Sequence, residues 1–257
     1  EREDGNAFGP SKEACHLAKL NYEVITGKTA PLTGLEIMNK LPIETIKSLA
    51  ETMASIHGIP MHRGESWIED THFARWLDMG TTRENTLGRV EEWRKQAREA
   101  NTFPSPQIAR AINWLAANAP QYDGPPVFLH GDYGPHNILL EGGRVAAVLD
   151  WEVSTPGDPA YDVCWFLNCT VGAVEPKRFI EFYRAAGGAP ISEYRLRYFE
   201  VFASMFMPIT CNAALRLIED KDETNINLAL YGLRFAHEYA SRLHGAIERA
   251  EAVKHLQ

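Results

Sequence analysis

The sequence predicts an α+β fold in which helices carry most of the chain and a small group of short strands lies near its middle. Two observations point there. Between Val127 and Leu149, three short apolar runs are separated by polar, glycine-bearing turns. On both sides of that stretch, apolar residues recur at helical spacing over segments of ten residues or more.

Taken in order, residues 1–11 are polar, glycine-bearing and without period, and are read as a loop. Ser11–Ile25 places Leu17, Leu20 and Val24 at helical spacing, with Ser11 as N-cap. Gly27-Lys28-Thr29 invites comparison with a phosphate-binding P-loop, but that motif needs a glycine five residues before the Gly-Lys pair, where Tyr22 stands. Leu35–Pro42 reads as a short strand ending in proline. A helix is expected over Ile43–His57, with Ile43, Ile46, Leu49, Ala50, Met53 and Ile56 on one face and Gly58 and Pro60 as its stop. Thr86–Ala100 forms a charged helix with Leu87, Val90, Trp93 and Ala97 inward. Pro104–Asn118 forms another, with Ser105 as N-cap and Pro106 at the first helical position.

The central stretch begins with Val127-Phe128-Leu129, too short for a helix and bounded by Pro125-Pro126. A polar loop, His130 to Asn137, holds two glycines and a proline that set a fixed, non-repetitive path. Ile138–Leu140 and Val145–Leu149 are strands joined by the tight turn Glu141-Gly142-Gly143, and the second runs into Asp150. Asp158 caps the next helix, with Pro159 at its first position, and that helix runs Ala160–Val171. Another starts at Pro176. Ser192 caps an apolar segment through Ile218, kinked at Pro208, and Asn225–Ala252 closes the chain as a long helix.

Asp132, Asn137 and Asp150 therefore sit where strands meet loops, the usual station for chemical groups. Each alone is ordinarily a turn former. Jointly, at this spacing, they suit phosphoryl transfer, which needs a base for the incoming hydroxyl and cations to neutralise phosphate charge. Asp132 is the candidate base. Asn137 offers a neutral oxygen and Asp150 a charged one, a hard donor set suited to Mg2+. The order resembles the kinase pattern of catalytic-loop Asp, Asn five residues on, and a second Asp after a hairpin. His130-Gly131-Asp132 and Asp150-Trp151-Glu152 depart from the His-Arg-Asp and Asp-Phe-Gly of protein kinases. His130 is read as a packed loop residue, and His136 is given no role.

HGDYGPHN, VLDWE and GDPAYD, in this order and spacing, resemble the hallmark of the aminoglycoside phosphotransferase and choline kinase family. The flanking text is most similar to the branch found in acyl-CoA dehydrogenase relatives. The resemblance implies a protein-kinase-like fold, with Asp132 as catalytic base, Asn137 and Asp150 as magnesium ligands, and His130 and Asp162 supporting the loop. It also implies ATP or GTP as donor. Leu35–Pro42 resembles the last strand of an N lobe and its hinge, which would bring Met38, Asn39 and Leu41 to the adenine. The expected domains are residues 1–41, a remnant of the N lobe and hinge, and 42–257, the helical C lobe. The stretch before residue 37 is too short for a five-stranded N lobe. Lys12, Lys19 and Lys28 are the lysines available there, none in a strand-like context. The N lobe is thus expected to be short or incomplete, and the chain to be part of a longer polypeptide or not competent alone.

Composition narrows the classes. With 257 residues, 45% hydrophobic content and no run of roughly 18 apolar residues, the chain is expected to be soluble and not a membrane protein. Cys15, Cys164, Cys169 and Cys211 form no CxxC pair, so no zinc or disulfide framework is expected, and a reducing cytoplasm is the expected setting. A net charge of -8 disfavours nucleic acid as partner. The expected partner is a small hydroxylated substrate, phosphorylated from ATP. A ligand-binding pseudokinase is the alternative. A metallophosphatase is a third reading, but the further metal-binding motifs it needs are not found.

Overall fold

The computed structural model describes residues 41–62, 76–77, 80–99, 105–170, 173–211 and 242–256. The expectations for residues 1–40, including the short N lobe and the hinge residues Met38 and Asn39, lie outside these. The chain divides into two compact units, one drawing on segments up to Leu77 and on Val127–Ile191, the other on Asp78–Pro126 and Ser192–Gln257.

In the first unit, helix α1 spans Ile43–His57. Pro42 cannot extend a helix backwards, and its carbonyl accepts from the N–H groups of Thr45 and Ile46. Gly58 ends the helix, its N–H bonding back to the Ala54 carbonyl at 3.0 Å. Ile46, Leu49, Ala50, Met53 and Ile56 are buried as the periodicity requires. Ile43 is not: it is 43% exposed, because at the helix's first residue the apolar stripe has run past the surface it packs on.

Strand β1 (Val127–Leu129) pairs antiparallel with a strand the sequence does not announce, Thr155–Gly157. Strands Ile138–Glu141 (β2) and Arg144–Val148 (β3) form a hairpin; Thr155–Gly157 is β4. The hairpin turn is Gly142-Gly143, with φ of 57° and 79°, a geometry that matches the strand twist and that side chains at both positions would strain. Leu139 pairs with Ala147 and Leu140 with Val145, so Ala146 is the extra residue of a bulge. Helix α1 packs on this hairpin and on β1. Its Ser48 hydroxyl accepts from Val145 N–H at 3.0 Å, and its Leu49 carbonyl accepts from the Tyr133 hydroxyl at 2.9 Å.

The second unit opens with α2, Thr82–Glu99, four residues earlier than the apolar periodicity indicates. A reciprocal cap explains the difference. Thr81 Oγ1 accepts from Glu84 N–H at 3.2 Å, while the Glu84 carboxylate accepts from Thr81 N–H at 2.9 Å. Helix α3, Pro106–Ala117, has Ser105 as N-cap and Pro106 in its first turn. In the first unit, two further helices follow β4. They are α4, Ala160–Cys169, and α5, Pro176–Ala185, and α5 lies against α1. Back in the second unit, α6 spans Glu193–Ser204, with the Ser192 hydroxyl accepting from Arg195 N–H. The helical path is interrupted at Met205, three residues before Pro208. The proline ring clashes with the carbonyl four residues back and has no N–H to offer it, so the break falls upstream of the proline itself. Tyr194 and Tyr198 of α6 are buried, and their hydroxyls donate to the Asn118 and Leu115 carbonyls. Residues 242–252 are helical, reaching the expected end at Ala252.

Candidate active site

All of the site lies in the first unit. Strand β1 delivers the chain to His130, and the 3-10 turn Pro135–Asn137 hands it to β2. The path between them is fixed from α4. Asp162, in the first turn of α4 and fully buried, accepts from His130 N–H at 2.8 Å through Oδ2 and from Gly131 N–H at 2.9 Å through Oδ1. Such charge-assisted bonds are stronger than neutral ones. Gly131 holds φ of +85°, and a Cβ there would sit 2.5 Å from the Val153 carbonyl oxygen. Only glycine meets both demands. Asp158 Oδ1 accepts from Ala160 N–H at 2.8 Å and so caps the start of α4, although the first helical residue is Ala160, not Pro159.

The His130 ring is fully buried and tied at both nitrogens. Nε2 lies 2.9 Å from the Leu149 carbonyl, which can only accept, and Nδ1 accepts from Asp132 N–H at 3.2 Å. These partners select the Nε2–H tautomer. Leu149 is also held by its N–H, which donates to the Asn137 carbonyl at 2.8 Å. The end of β3 is thereby pinned to the loop from two sides, immediately before Asp150.

Asp132 is about one-quarter exposed, and its side chain accepts three hydrogen bonds. Trp165 Nε1–H donates to Oδ1 at 2.6 Å. His136 Nε2 lies 2.9 Å from Oδ2, and Asn137 Nδ2 donates to the same oxygen at 3.0 Å and to the Asp132 carbonyl at 3.0 Å. Asn137 thus spends its side-chain N–H groups on Asp132, and its side-chain oxygen Oδ1 takes no hydrogen bond from a described residue. Asp150 is exposed at φ of 64°, a left-handed conformation that Asp tolerates better than most residues, and its carboxylate takes no hydrogen bond from a described residue. Two uncommitted oxygen donors on adjoining strand ends fit a hard divalent cation completed by water and phosphate oxygens. Among the described residues, no group of three or more His, Cys, Asp or Glu is placed to hold a metal ion.

Behind the loop, His57 at the end of α1 lies 3.2 Å from Asp162 Oδ2 through Nε2 and 2.7 Å from the Tyr183 hydroxyl through Nδ1. Burial drives the Tyr133 phenol well above its ordinary range, and the Asp162 charge adds to the effect. Burial likewise pushes the Cys169 thiol up, with the Asp132 charge contributing.

The structure therefore brings His130, Asp132, Asn137 and Asp162 into one bonded cluster and ties Asp150 to it through Leu149. Leu41 is half-buried just ahead of α1. Four residues outside the sequence expectation join the cluster: His57, His136, Trp165 and Tyr183. Trp165 was accessible to reasoning, since it lies three residues after Asp162 and thus on the same helix face. His136 meets Asp132 from four residues on within the same loop, whereas His57 and Tyr183 depend on contacts between distant segments.

Known proteins share parts of this sequence and this fold. Mouse acyl-CoA dehydrogenase family member 10 is 41% identical over 78 residues, 30% of this chain and 7% of that protein. The match thus spans a small fraction of that relative's length. In fold, the chain is similar to a provisionally named aminoglycoside phosphotransferase of Ralstonia eutropha, at a TM-score of 0.63 and 19% identity, covering 82% of this chain and 65% of that one. It is also similar to a choline/ethanolamine kinase family protein of Mesorhizobium loti, at 0.57 and 17%, covering 88% and 70%. These similarities establish a kinase-like fold, and the described residues are mostly helical with little sheet. The family model described as the phosphotransferase enzyme family matches residues 27–199, a span that includes the whole Asp132 cluster, and the chain belongs to that family.

Proposed function

We propose that this chain transfers the γ-phosphate of ATP to a hydroxyl of a small molecule. The acceptor O–H bond breaks and its proton passes to Asp132. The acceptor oxygen bonds to the γ-phosphorus as the bond from that phosphorus to the β,γ-bridging oxygen breaks, and ADP leaves. Asn137 and Asp150 would hold Mg2+, which when bound supplies neutralising charge to the phosphates. His130 and Asp162 hold the loop in place. The observation that carries this reading is the arrangement around Asp132: a part-exposed carboxylate oriented by three donors, beside two oxygen donors with no commitment to a described residue.

The test is to incubate the full polypeptide with Mg-ATP and a panel of aminoglycosides, choline and ethanolamine, following ADP release and the mass gain of the acceptor. One class is expected to gain a phosphoryl group, and Asp132→Asn is expected to abolish the gain while nucleotide binding persists. Mg-ATP binding without phosphoryl transfer to any panel member or to water would overturn the reading.

A further inference from the structure

A carboxylate offers about four lone-pair directions, two on each oxygen. Around Asp132 three are taken. Oδ2 holds His136 and Asn137, and Oδ1 holds the Trp165 indole N–H. Asn137 is already accounted for by its place in the site. His136 and Trp165 are not, and their geometry is costly to maintain. The buried Nδ1 of His136 has no hydrogen-bond partner among the described residues. Its ring fits only because residue 134 is glycine: a Cβ on Gly134 would lie 2.4 Å from His136 Cε1 and 2.7 Å from Nδ1. An unpaired buried nitrogen is destabilising, and the charge-assisted bond from Nε2 to Asp132 offsets that. The 2.6 Å indole contact on the other oxygen fixes the remaining rotation of the carboxylate.

Resting on the reading of Asp132 as base, we infer that His136 and Trp165 are positioning residues for it. Together with Asn137 they close three of its lone-pair directions and leave one, on Oδ1 beside the Trp165 indole, to receive the acceptor hydroxyl. The acceptor is thereby required to approach along the edge of that indole. An acceptor hydroxyl hindered on that side would be excluded even if the rest of the molecule could bind. Specificity at the reacting hydroxyl is set by α4, independently of whatever surface binds the rest of the substrate.

The experiment uses the full polypeptide with Mg-ATP as donor and water as acceptor, read as ADP release, together with the indole N–H resonances of the six tryptophans in a 15N-labelled sample. Trp165→Phe identifies the Trp165 resonance. Asp132→Asn is expected to move that resonance more than the other five. Trp165→Phe and His136→Phe are each expected to lower kcat by about 10–100-fold, with KM for Mg-ATP within about twofold, since misplacing a reacting group costs on that order. His136→Gln, which can still present an N–H, is expected to recover most of the loss. An unmoved Trp165 resonance in Asp132→Asn overturns the inference, whether or not turnover is detected. So does near-parental turnover in both Phe variants when Asp132→Asn is inactive, an outcome that leaves the base assignment standing. Near-parental turnover in Asp132→Asn removes the base reading itself, and the inference with it.

Discussion

His57 and Asp162 lie 105 positions apart in sequence, and their side chains meet at 3.2 Å in a fully buried environment. The contact joins the last residue of α1 to the carboxylate that holds the backbone of the 130–131 loop. Tyr183 backs it from α5 at 2.7 Å.

His57→Ala should therefore destabilise the first unit beyond the loss of packing, because it removes a buried partner from both the Tyr183 hydroxyl and the Asp162 carboxylate. The expected cost is about 2–3 kcal/mol by urea unfolding, with His57→Gln less severe. An unchanged midpoint for His57→Ala would show that the contact contributes nothing.

Gly131→Ala meets two obstacles at once, a φ of +85° and a Cβ position 2.5 Å from the Val153 carbonyl. Backbone conformations of this kind cost about 1–3 kcal/mol for a residue with a side chain, and the displacement would fall on the neighbouring Asp132. Thermal unfolding should show the lower stability and nucleotide turnover should fall with it. A fully stable, fully active Gly131→Ala protein would contradict the geometry.

Asp150 can be tested without disturbing the backbone. Its φ of 64° suits glycine better than any other residue, so Asp150→Gly removes the carboxylate and relieves strain together. Affinity for Mg-ATP should drop at least about tenfold by titration calorimetry while stability holds or rises, because the charged cation ligand is gone. Equal affinity in parent and variant would remove Asp150 from the metal assignment.

Alkaline pH offers a separate check on the second unit. Burial, with a smaller contribution from Glu251, pushes the Tyr194 phenol from 10.0 up to about 12. The folded state then keeps a proton that the unfolded chain releases near pH 10. Stability from this group is fully present below that pH and is lost as the pH rises toward 12. Tyr194→Phe should be less stable at neutral pH, lacking the 2.7 Å bond to the Asn118 carbonyl, but should lose less stability between pH 10 and 12. Parallel stability curves for the two proteins would count against the assignment.

Much of this architecture was legible because it rests on local rules. The bounds of α1 follow from apolar spacing between Pro42 and Gly58, and the β2–β3 turn from its paired glycines. The start of α2 was equally legible but needed a different signal, the Thr81–Glu84 cap, which apolar periodicity passes over. Strand β4 was not legible. Thr155-Pro156-Gly157 has no alternation and only one β-former, Thr155, beside a proline and a glycine, and becomes a strand because β1 lies alongside it. The site divides in the same way. Asp132, Asn137 and Asp150 stand out by type and spacing. His57 and Tyr183 are ordinary residues of amphipathic helices until α1, α4 and α5 converge, and no one-dimensional pattern encodes that.

The three polar holds on α1 also bear on how the molecule opens. Ser48 anchors β3 through Val145, Leu49 anchors Tyr133, and His57 anchors Asp162, all on a helix of 15 residues. A slip or fraying of that helix would release the hairpin, the loop tyrosine and the Asp162 clamp in a single event. The amides of His130 and Gly131, although in a loop, are therefore tied to the fate of a helix far away in sequence. In native-state hydrogen exchange they should lose protection together with the central amides of α1, as members of one cooperative unit, and exchange more slowly than their place in a loop would imply.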